Sequence, residues 1–201
     1  MGWNFYNASG ELQINDGGVL ASAAVFTGNA DLGSNLLVGN AGSTGIAISS
    51  AGEVTMAAQP AFLARNNAQI NNVTGDGTAY TLVFATEVFD QNADFDGTST
   101  FTAPITGRYR FTCHIVMAAM DDSVTIVTLQ IVASNGTVLG AFTDGATADS
   151  NQNFGIESSV LLDMDAADTV TAIITGSGGS ASVDFGGSSD YRSFLCGELV
   201  A

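Results

Sequence analysis

The feature that most limits the fold is the segment 108–117, in which side chains alternate strictly in character. One set is Tyr109, Phe111, Cys113, Ile115 and Met117, and the other is Arg108, Arg110, Thr112, His114 and Val116. Successive side chains of a β-strand point to opposite faces, so this period of two predicts a strand with the first set in a core. The second set holds two of the four arginines and the only histidine. That face is either solvated or a subunit interface, where arginine is common.

The rest of the chain is typical of an all-β protein. Gly, Ser, Thr, Asn and Asp are spread throughout, and short β-branched or aromatic runs lie between turn signals. Ser134-Asn135-Gly136 predicts a tight hairpin, because Asn-Gly tolerates positive φ. From Pro60 onward we predict strands at 61–66, 79–84, 99–103, 108–117, 123–133, 137–142, 153–162, 169–176 and 193–200. So many strands in one region indicate a two-sheet sandwich or jelly roll.

The part before Pro60 has a different character. Its first residues hold an aromatic cluster, Trp3, Phe5 and Tyr6. Later, apolar pairs recur with glycine between them: Leu36/Val38, Ile46/Ile48 and Val54/Met56. Such short strands cannot bury a face alone, so they fit three chains wound together or a segment docked on a partner. A flexible linker with accidental pairs is the alternative.

Charge excludes several partners. The chain of 201 residues has four Lys and Arg against twenty Asp and Glu, a formal net charge of -16. A polyanion of this kind is unsuited to nucleic acid or to an anionic membrane surface. No apolar run approaches the roughly 20 residues of a membrane-spanning helix. The first residues lack the pattern of a signal peptide, so we expect folding in a cytoplasm with reduced thiols.

Nothing in the sequence indicates catalysis or a cofactor. Cys113 and His114 are neighbours on one strand and point to opposite faces, so they cannot form a nucleophile–base pair. Zinc would need more ligands than these two residues and Cys196 supply. We therefore expect no enzyme activity, no cofactor and no metal.

Acidic clusters leave one alternative to that expectation. They are Asp94/Asp96, Asp121/Asp122 and Asp163/Asp165/Asp168. Calcium binds clustered carboxylates, but these spacings do not follow an EF-hand loop. Solvation of loop ends is the simpler interpretation. His114 has two interpretations as well, a pH switch at a subunit axis or a neutral, hydrogen-bonded interface residue.

The block Phe95 to Phe111 resembles the globular head of the first complement component, which belongs with the tumour necrosis factor-like jelly rolls. The matching residues are Phe101, Ala103, Pro104, Gly107, Tyr109 and Phe111. The closing segment 194–200 is a looser match. The resemblance covers residues 60–201 and implies a homotrimer, with strand 108–117 near the threefold axis and Arg110 and His114 at the interface. It also implies neighbouring strands for Cys113 and Cys196, for which we favour reduced thiols over a disulfide.

The stretch 49–64 is similar to the junction before complement-like heads in tailed-bacteriophage fibre proteins. This resemblance implies an anchoring segment at 1–30 containing Trp3, Phe5 and Tyr6, an extended β shaft at 31–59, and a jelly-roll head at 60–201. It implies a capsid or tail protein as partner of the N-terminus. The expected location is the virion, assembled in the host cytoplasm.

Strand direction predicts which loops lie away from the termini. If both ends of the head lie at its base, the loops 118–122, 143–152 and 177–192 lie at the far end. We expect receptor contacts there from Asp121, Asp122, Asp144, Asp149, Asn151, Asp184, Phe185, Asp190 and Tyr191. Glycine-rich hinges flank Asp184 and Phe185, so a mobile contact loop is expected; the alternative packs Phe185 back onto the sandwich.

Together these observations predict an all-β jelly roll with an N-terminal shaft, assembled as a homotrimer. The predicted function is a structural phage fibre or spike protein whose distal head binds a host surface glycan or protein. Weak sites repeated three times would gain avidity. The alternatives are a capsid decoration protein without a receptor and a bacterial surface adhesin.

Overall fold

The structure is a computed structural model and describes residues 46–49, 51–120, 122–136, 138–144, 153–186 and 193–201. Within these residues every element of regular secondary structure is a β-strand. The strands are β1 Ile46–Ile48, β2 Val54–Met56, β3 Ala61–Arg65, β4 Ile70–Thr74, β5 Ala79–Thr81, β6 Thr86–Gln91, β7 Phe101–Thr102, β8 Gly107–Ala118, β9 Ile126–Ala133, β10 Val138–Asp144, β11 Phe154–Met164, β12 Thr169–Ser177, β13 Val183–Gly186 and β14 Phe194–Leu199.

Two antiparallel sheets form the sandwich. The five-stranded sheet has the order β10-β9-β12-β5, with β7 also paired to β12. In the seven-stranded sheet, β8 pairs with β11 on one side and with β14 and β13 on the other. Strand β14 continues to β3 and β6, and β13 continues to β4. This architecture confirms the predicted all-β, two-sheet jelly roll.

The core lies between the sheets and follows from the alternation in β8. Tyr109, Phe111, Cys113, Ile115 and Met117 are all fully buried, as the sequence predicted. Aliphatic side chains of β9 and β12 join them in one core cluster. An aromatic cluster forms around Phe101, whose ring centroid lies 5.2 Å from that of Phe62 and 5.3 Å from that of Phe111.

The Phe-x-Ala-Pro block links the two sheets. Phe101 is paired with Val170 in the five-stranded sheet, and Ala103 donates its backbone N–H to Asp168 O at 2.8 Å. The chain then turns and starts β8 at Gly107, where a Cβ would lie only 2.8 Å from Ala201 O. Glycine is therefore required where the C-terminus crosses this turn.

Three strands of the structure were not predicted: β4, β6 and β13. The register of β6 shifts against β3 between Leu63 and Ala64, so its sequence lacks a clean period of two. Strand β13 lies inside the predicted loop 177–192. The predicted hairpin at Ser134–Gly136 is confirmed, because Gly136 has a φ of 89° and joins β9 to β10.

Both ends of the head meet at one end of the sandwich. Leu199 donates its backbone N–H to Pro60 O at 3.0 Å, and Arg108 donates to Ala201 O at 2.6 Å. We call this end the base. Before it, β1 and β2 form a separate antiparallel hairpin, with Ile46 opposite Met56. The predicted pair Leu36/Val38 lies outside the described residues.

Candidate functional site

The outer face of the seven-stranded sheet carries an apolar groove. Side chains of β3, β6 and β14 line it, and we name it the outer groove: Leu63, Arg65, Val88, Phe89, Phe194 and Cys196. The positions of the β3 and β14 residues follow from strand alternation, since Phe62, Ala64 and Leu195 occupy the buried face. Val88 and Phe89 are neighbours in β6 and lie at its register shift against β3. The groove is an open space of about 600 Å³. Phe89 and Val88 remain 50% and 47% exposed, which is unusual for large apolar side chains that lie together.

Charged pairs occupy the same face beside the groove. The Arg110 Nη1 atom lies 3.4 Å from Glu198 Oε1, and Arg108 Nε lies 3.8 Å from Asp163 Oδ1. The members of both pairs are more than half exposed, so each pair adds little stability in the single chain. These pairs join β8 to β11 and to β14.

His114 lies between the charged pairs and the outer groove and contacts residues of both regions. Its Nδ1 atom lies 3.7 Å from Glu157 Oε2, and its ring stacks on Phe194 at a centroid distance of 5.8 Å. Arg110 and His114, the two predicted interface residues, thus share the face with the outer groove.

The two cysteines are free and lie on neighbouring strands, β8 and β14. Cys113 is opposite Leu195, and Cys196 is opposite Thr112, so their side chains lie on opposite faces of the sheet. Burial strongly raises the pKa of the Cys113 thiol, and burial also raises the pKa of Cys196. Neither thiol is therefore an activated nucleophile, and His114 lies on the face opposite Cys113.

The expected mobile contact loop at Asp184 and Phe185 is corrected by the structure. Both residues belong to β13, and Phe185 is completely buried, with its ring in a T-shaped contact with Phe84 at 5.8 Å. Asp184 is buried as well and accepts hydrogen bonds from Gln69 Nε2 at 2.6 Å and from the backbone N–H of Asn72 at 2.8 Å. Distant partners thus hold this segment in the sheet, and neither residue is available for surface contact.

The strand pairing places the strand ends that flank the predicted distal loops at one end of the sandwich, opposite the base. Met117 is opposite Phe154, and Ala118 is opposite Asp184, so the ends of β8, β11 and β13 meet. In the other sheet, Ile126 is opposite both Asp144 and Ser177. Asp122 is exposed at this end. The other predicted contact residues, Asp121, Asp149, Asn151, Asp190 and Tyr191, lie outside the described residues.

Several acidic residues cap loops. Asp96 Oδ1 accepts hydrogen bonds from the backbone N–H groups of Thr98, Ser99 and Thr100. Burial opposes the charge, but these bonds hold the pKa of Asp96 below its ordinary value. Asp94 differs: burial, and then the charge of Asp90, raise its pKa.

The acidic cluster Asp163/Asp165/Asp168 is also part of a turn. Asp168 accepts from the Ser134 hydroxyl at 2.8 Å and from the backbone N–H of Asp165 at 2.9 Å. Among the described residues, no group of three or more His, Cys, Asp or Glu side chains is arranged to hold a metal ion. Nor does any helix there have the length and hydropathy needed to cross a membrane.

The hairpin of β1 and β2 joins the head near the end of β6. Gln91 Nε2 donates to Met56 O at 2.9 Å and to Ala57 O at 2.8 Å. Ile46, Val54 and Met56 are exposed on the hairpin. The predicted anchor residues Trp3, Phe5 and Tyr6 lie outside the described residues.

Sequence reasoning missed the groove itself. Leu63, Arg65, Phe194 and Cys196 lay in predicted strands, whereas neither Val88 nor Phe89 was assigned to a strand. The available signal was the pair Val88-Phe89 between charged residues, because two adjacent apolar side chains cannot both face one core. One of them had to be exposed or to cover another surface.

Comparison with solved structures identifies the fold. The globular domain of zebrafish complement 1qA superposes with a TM-score of 0.50 at 17% sequence identity, covering 71% of this chain and 98% of that chain. Murine APRIL at pH 5.0 gives a TM-score of 0.50 at 9% identity, covering 71% and 99%. No protein-family model matches the sequence, and no curated protein matches it either. The chain has the complement and tumour necrosis factor-like jelly-roll fold, as its Phe-x-Ala-Pro block predicted.

Proposed function

We propose that this chain is a non-enzymatic structural protein of a virus particle. Three copies would form a fibre or spike whose distal end contacts a glycan or protein of the host surface. The observation that carries the proposal is the outer face of the seven-stranded sheet, where an exposed apolar groove lies beside most of the cations of an acidic chain.

Apolar surface on this face favours a contact between copies. The outer groove lies on the β3, β6 and β14 side, and Leu161, which is 54% exposed, lies on β11 at the opposite side of the same sheet. Two different patches on one face fit a head-to-tail contact rather than a self-matching one. Such a contact closes into a ring when the rotation between copies permits, and a threefold ring buries both patches of every copy.

Charge favours the same face. The outer sides of β3, β8, β11 and β14 carry three arginines, Arg65, Arg108 and Arg110, against Glu157, Asp163 and Glu198. Their formal charges sum to zero, although the whole chain has a net charge of -16. Copies that approach each other through this face bring together no net charge from it, and its opposite charges can fix their register.

The direction of the strands supports attachment at one end and contact at the other. The N-terminal hairpin enters at the base, and the C-terminal ends of β8, β10 and β12 lie at the opposite end. A trimer would therefore present three copies of these loops away from the N-terminal segment. Weak sites repeated in this way gain avidity without high affinity at a single site.

The N-terminal part supports a shaft and an anchor. Exposed Ile46, Val54 and Met56 on strands of three residues leave apolar surface that one hairpin cannot bury. We propose that copies of this segment cover one another, and that residues 1–30 bind a capsid or tail protein of the virion. No catalytic step is proposed, because Cys113 is fully buried with His114 on the opposite face.

The trimer is tested with a charge placed in the outer groove. Phe89→Glu should convert the full-length chain from a trimer into single chains, because a carboxylate cannot be buried there unpaired. Ile105→Glu is the matched control, since Ile105 is 51% exposed in the loop before β8. Sedimentation velocity gives the mass of each. A trimer that persists in Phe89→Glu, or a wild-type chain that sediments as one copy, would contradict the assignment.

The role in the virion needs a second experiment. Gold-labelled antibodies against the full chain should mark fibre tips on purified particles, and the purified protein should bind host cells. Labelling spread over the capsid, without binding to cells, would favour the decoration protein instead. Particles without label would refute a virion location.

A further inference from the structure

The turn that follows β6 has a backbone conformation that requires an explanation. Asn92 has a φ of 81° and Ala93 a φ of 59°, so two consecutive non-glycine residues occupy the left-handed region. Asparagine tolerates this region, but alanine is strained there because of its Cβ. Such strain persists only where the surrounding contacts hold it, and it is concentrated at functional positions. We name residues 90–95 the junction loop.

Contacts within the head fix the junction loop. Asp90 accepts hydrogen bonds from the backbone N–H of Asp94 at 3.2 Å and from that of Phe95 at 3.0 Å, so its carboxylate closes the turn. Phe95 is buried, and its ring stacks on Phe62 at a centroid distance of 4.8 Å. Asp94 O accepts from the backbone N–H of Thr102 at 2.8 Å. The head therefore orders this loop independently of the N-terminal hairpin.

Two side chains of the junction loop bind the connection between β2 and β3. Gln91 Nε2 donates to Met56 O and to Ala57 O, and Asn92 Nδ2 donates to the next carbonyl, Ala58 O, at 2.9 Å. Three successive carbonyls thus accept from two neighbouring amides. The partners lie 34 or 35 residues apart along the chain, so these hydrogen bonds are not part of a local turn.

The last strand of the head holds the same connection from another side. Gln59 Nε2 donates to Leu199 O at 2.8 Å, and Pro60 O accepts from the backbone N–H of Leu199. Pro60 is also buried, and its ring fixes φ. Each residue from 56 to 60 therefore makes at least one hydrogen bond to the head. A free linker would not have this pattern.

We propose that the junction loop couples the β1–β2 hairpin rigidly to the head, so that the head sets the direction in which the N-terminal segment leaves it. A single exposed amide–carbonyl hydrogen bond contributes little, because water competes for both groups. Here the head has already ordered the donors, so little further entropy is lost when Gln91 and Asn92 bind the connection. The strain at Ala93 is what it costs to hold these two amides beside three carbonyls.

This coupling goes beyond the function proposed above and does not depend on it, because all of its contacts lie within one chain. If copies do assemble, each N-terminal segment starts from the same position and in the same direction. A hinge at residues 57–59 would instead let each segment leave the head in a different direction.

The first experiment measures whether the hairpin moves independently of the head. A fluorescent dye is attached at Ala51→Cys, between β1 and β2, in a full-length chain with Cys196→Ser, which leaves the buried Cys113 as the only native thiol. Single chains are used, in wild type or, if wild type assembles, in Phe89→Glu, so that no second copy holds the hairpin. The anisotropy decay should contain only the motion of the dye and the tumbling of the whole chain.

Matched variants separate the hydrogen bonds from charge and composition. Gln91→Glu with Asn92→Gly removes all three donated bonds while glycine accepts the positive φ, so a separate component from hairpin motion should appear. Gln130→Glu with Asn67→Gly makes the same two substitutions elsewhere in the head and should leave the decay unchanged. Ala93→Gly relieves the strain but keeps both amides, so the hairpin should stay coupled.

Proteolysis provides a second readout. Cleavage within 57–59 by a protease of broad specificity should be at least about tenfold faster in Gln91→Glu/Asn92→Gly than in wild type, because the connection must open before it is cut. Mass spectrometry of the fragments locates the cut, and thermal melting verifies that each head is folded.

The proposal is overturned by any of three results. The wild-type hairpin could move independently, Gln91→Glu/Asn92→Gly could leave either readout unchanged, or Ala93→Gly or the matched control could free the hairpin as well. None of these results bears on the trimer or on the virion, which the experiments given above test separately.

Discussion

The two sheets use the same alternation for different purposes. The seven-stranded sheet points aromatic rings inward, including Phe62, Tyr109 and Phe111. The five-stranded sheet points aliphatic side chains inward, with Leu129 and Ile131 as examples. Their outer faces differ even more, because one carries ion pairs and an apolar groove and the other carries uncharged residues. The described outer side chains of β9 and β12 are Ile126, Thr128, Gln130, Val132, Thr169, Thr171, Ile173, Thr175 and Ser177.

This difference shows that two outer faces of one sandwich can differ in charge and polarity although both are outer faces of antiparallel sheets. A solvated sheet face in an acidic chain would be expected to share the acidic charge. Instead, the described outer residues of β9 and β12 are uncharged, and the charges on the outer sides of β3, β8, β11 and β14 balance. Among the residues that the structure describes, the remaining acidic side chains lie mainly in loops and at strand ends, where they stay hydrated.

Truncating a side chain on the inner face of either sheet should give the largest loss in the free energy of unfolding, and the loss should differ between the two sheets. Phe111→Ala should lower the free energy of unfolding by about 3–5 kcal/mol, because the ring contacts aromatic partners that cannot collapse into its space. Leu129→Ala on the opposite sheet should cost about 2–5 kcal/mol. Denaturant titration measures both. A smaller loss for Phe111→Ala than for Leu129→Ala would contradict the greater importance of the aromatic side.

The loop that crosses between the sheets gives a smaller effect that depends on pH. Asp96→Ala should cost about 1–2 kcal/mol at neutral pH, since three backbone N–H groups lose their charged acceptor. The pKa of Asp96 is lowered in the folded chain, so its stabilisation is complete above the unfolded pKa and is lost as pH falls through the folded value.

The pH dependence is measured as the free energy of unfolding from neutral to strongly acidic pH. The difference between wild type and Asp96→Ala should shrink at the acidic end. Asp122→Ala is the control for loss of one carboxylate, and an equal loss in that variant would argue against specific capping. Asp94 acts in the opposite sense, because its raised pKa means that protonation favours the folded state.

The smallest effect concerns the ion pairs of the seven-stranded sheet. In the dissociated chain, breaking the Arg110–Glu198 pair with Glu198→Gln should cost only about 0.2–1 kcal/mol, since both side chains are 56% exposed. A double-mutant cycle with Arg110→Gln at low and high salt isolates the pair. If the outer face is covered in a trimer, the same pair should have a larger coupling energy there, because it is less solvated.

Much of the fold was predictable because local patterns carry it. The alternation in 108–117, the Asn135-Gly136 turn and the block from Phe101 to Phe111 each act over a few residues. Strand β13 was missed because its stability is not local. Asp184 is held by Gln69 and by the backbone of Asn72, more than a hundred residues away along the chain. The glycines that flank Asp184 and Phe185 indicated a hinge. Glycine also occurs where two backbone segments pack closely, and the sequence does not distinguish the two cases.

The candidate site was predictable only in part. The alternation of β8 placed Arg110 and His114 on one outer face, which the structure confirms. The apolar groove beside them depends on β6, whose register shift hides its period. The interface role of both residues and the distal contacts remain predictions. The acidic pairs illustrate a further limit, because Asp96 is a loop cap only through the conformation of the residues that follow it.

The opposite orientation of the two cysteines gives the chain a reporter of its own assembly. Cys113 is sealed in the core, whereas Cys196 is partly accessible within the outer groove. A thiol reagent added to the native protein therefore labels one defined position, without any engineered residue. The rate of that labelling follows how often the groove is uncovered, so assembly and dissociation can be timed in the unmodified chain.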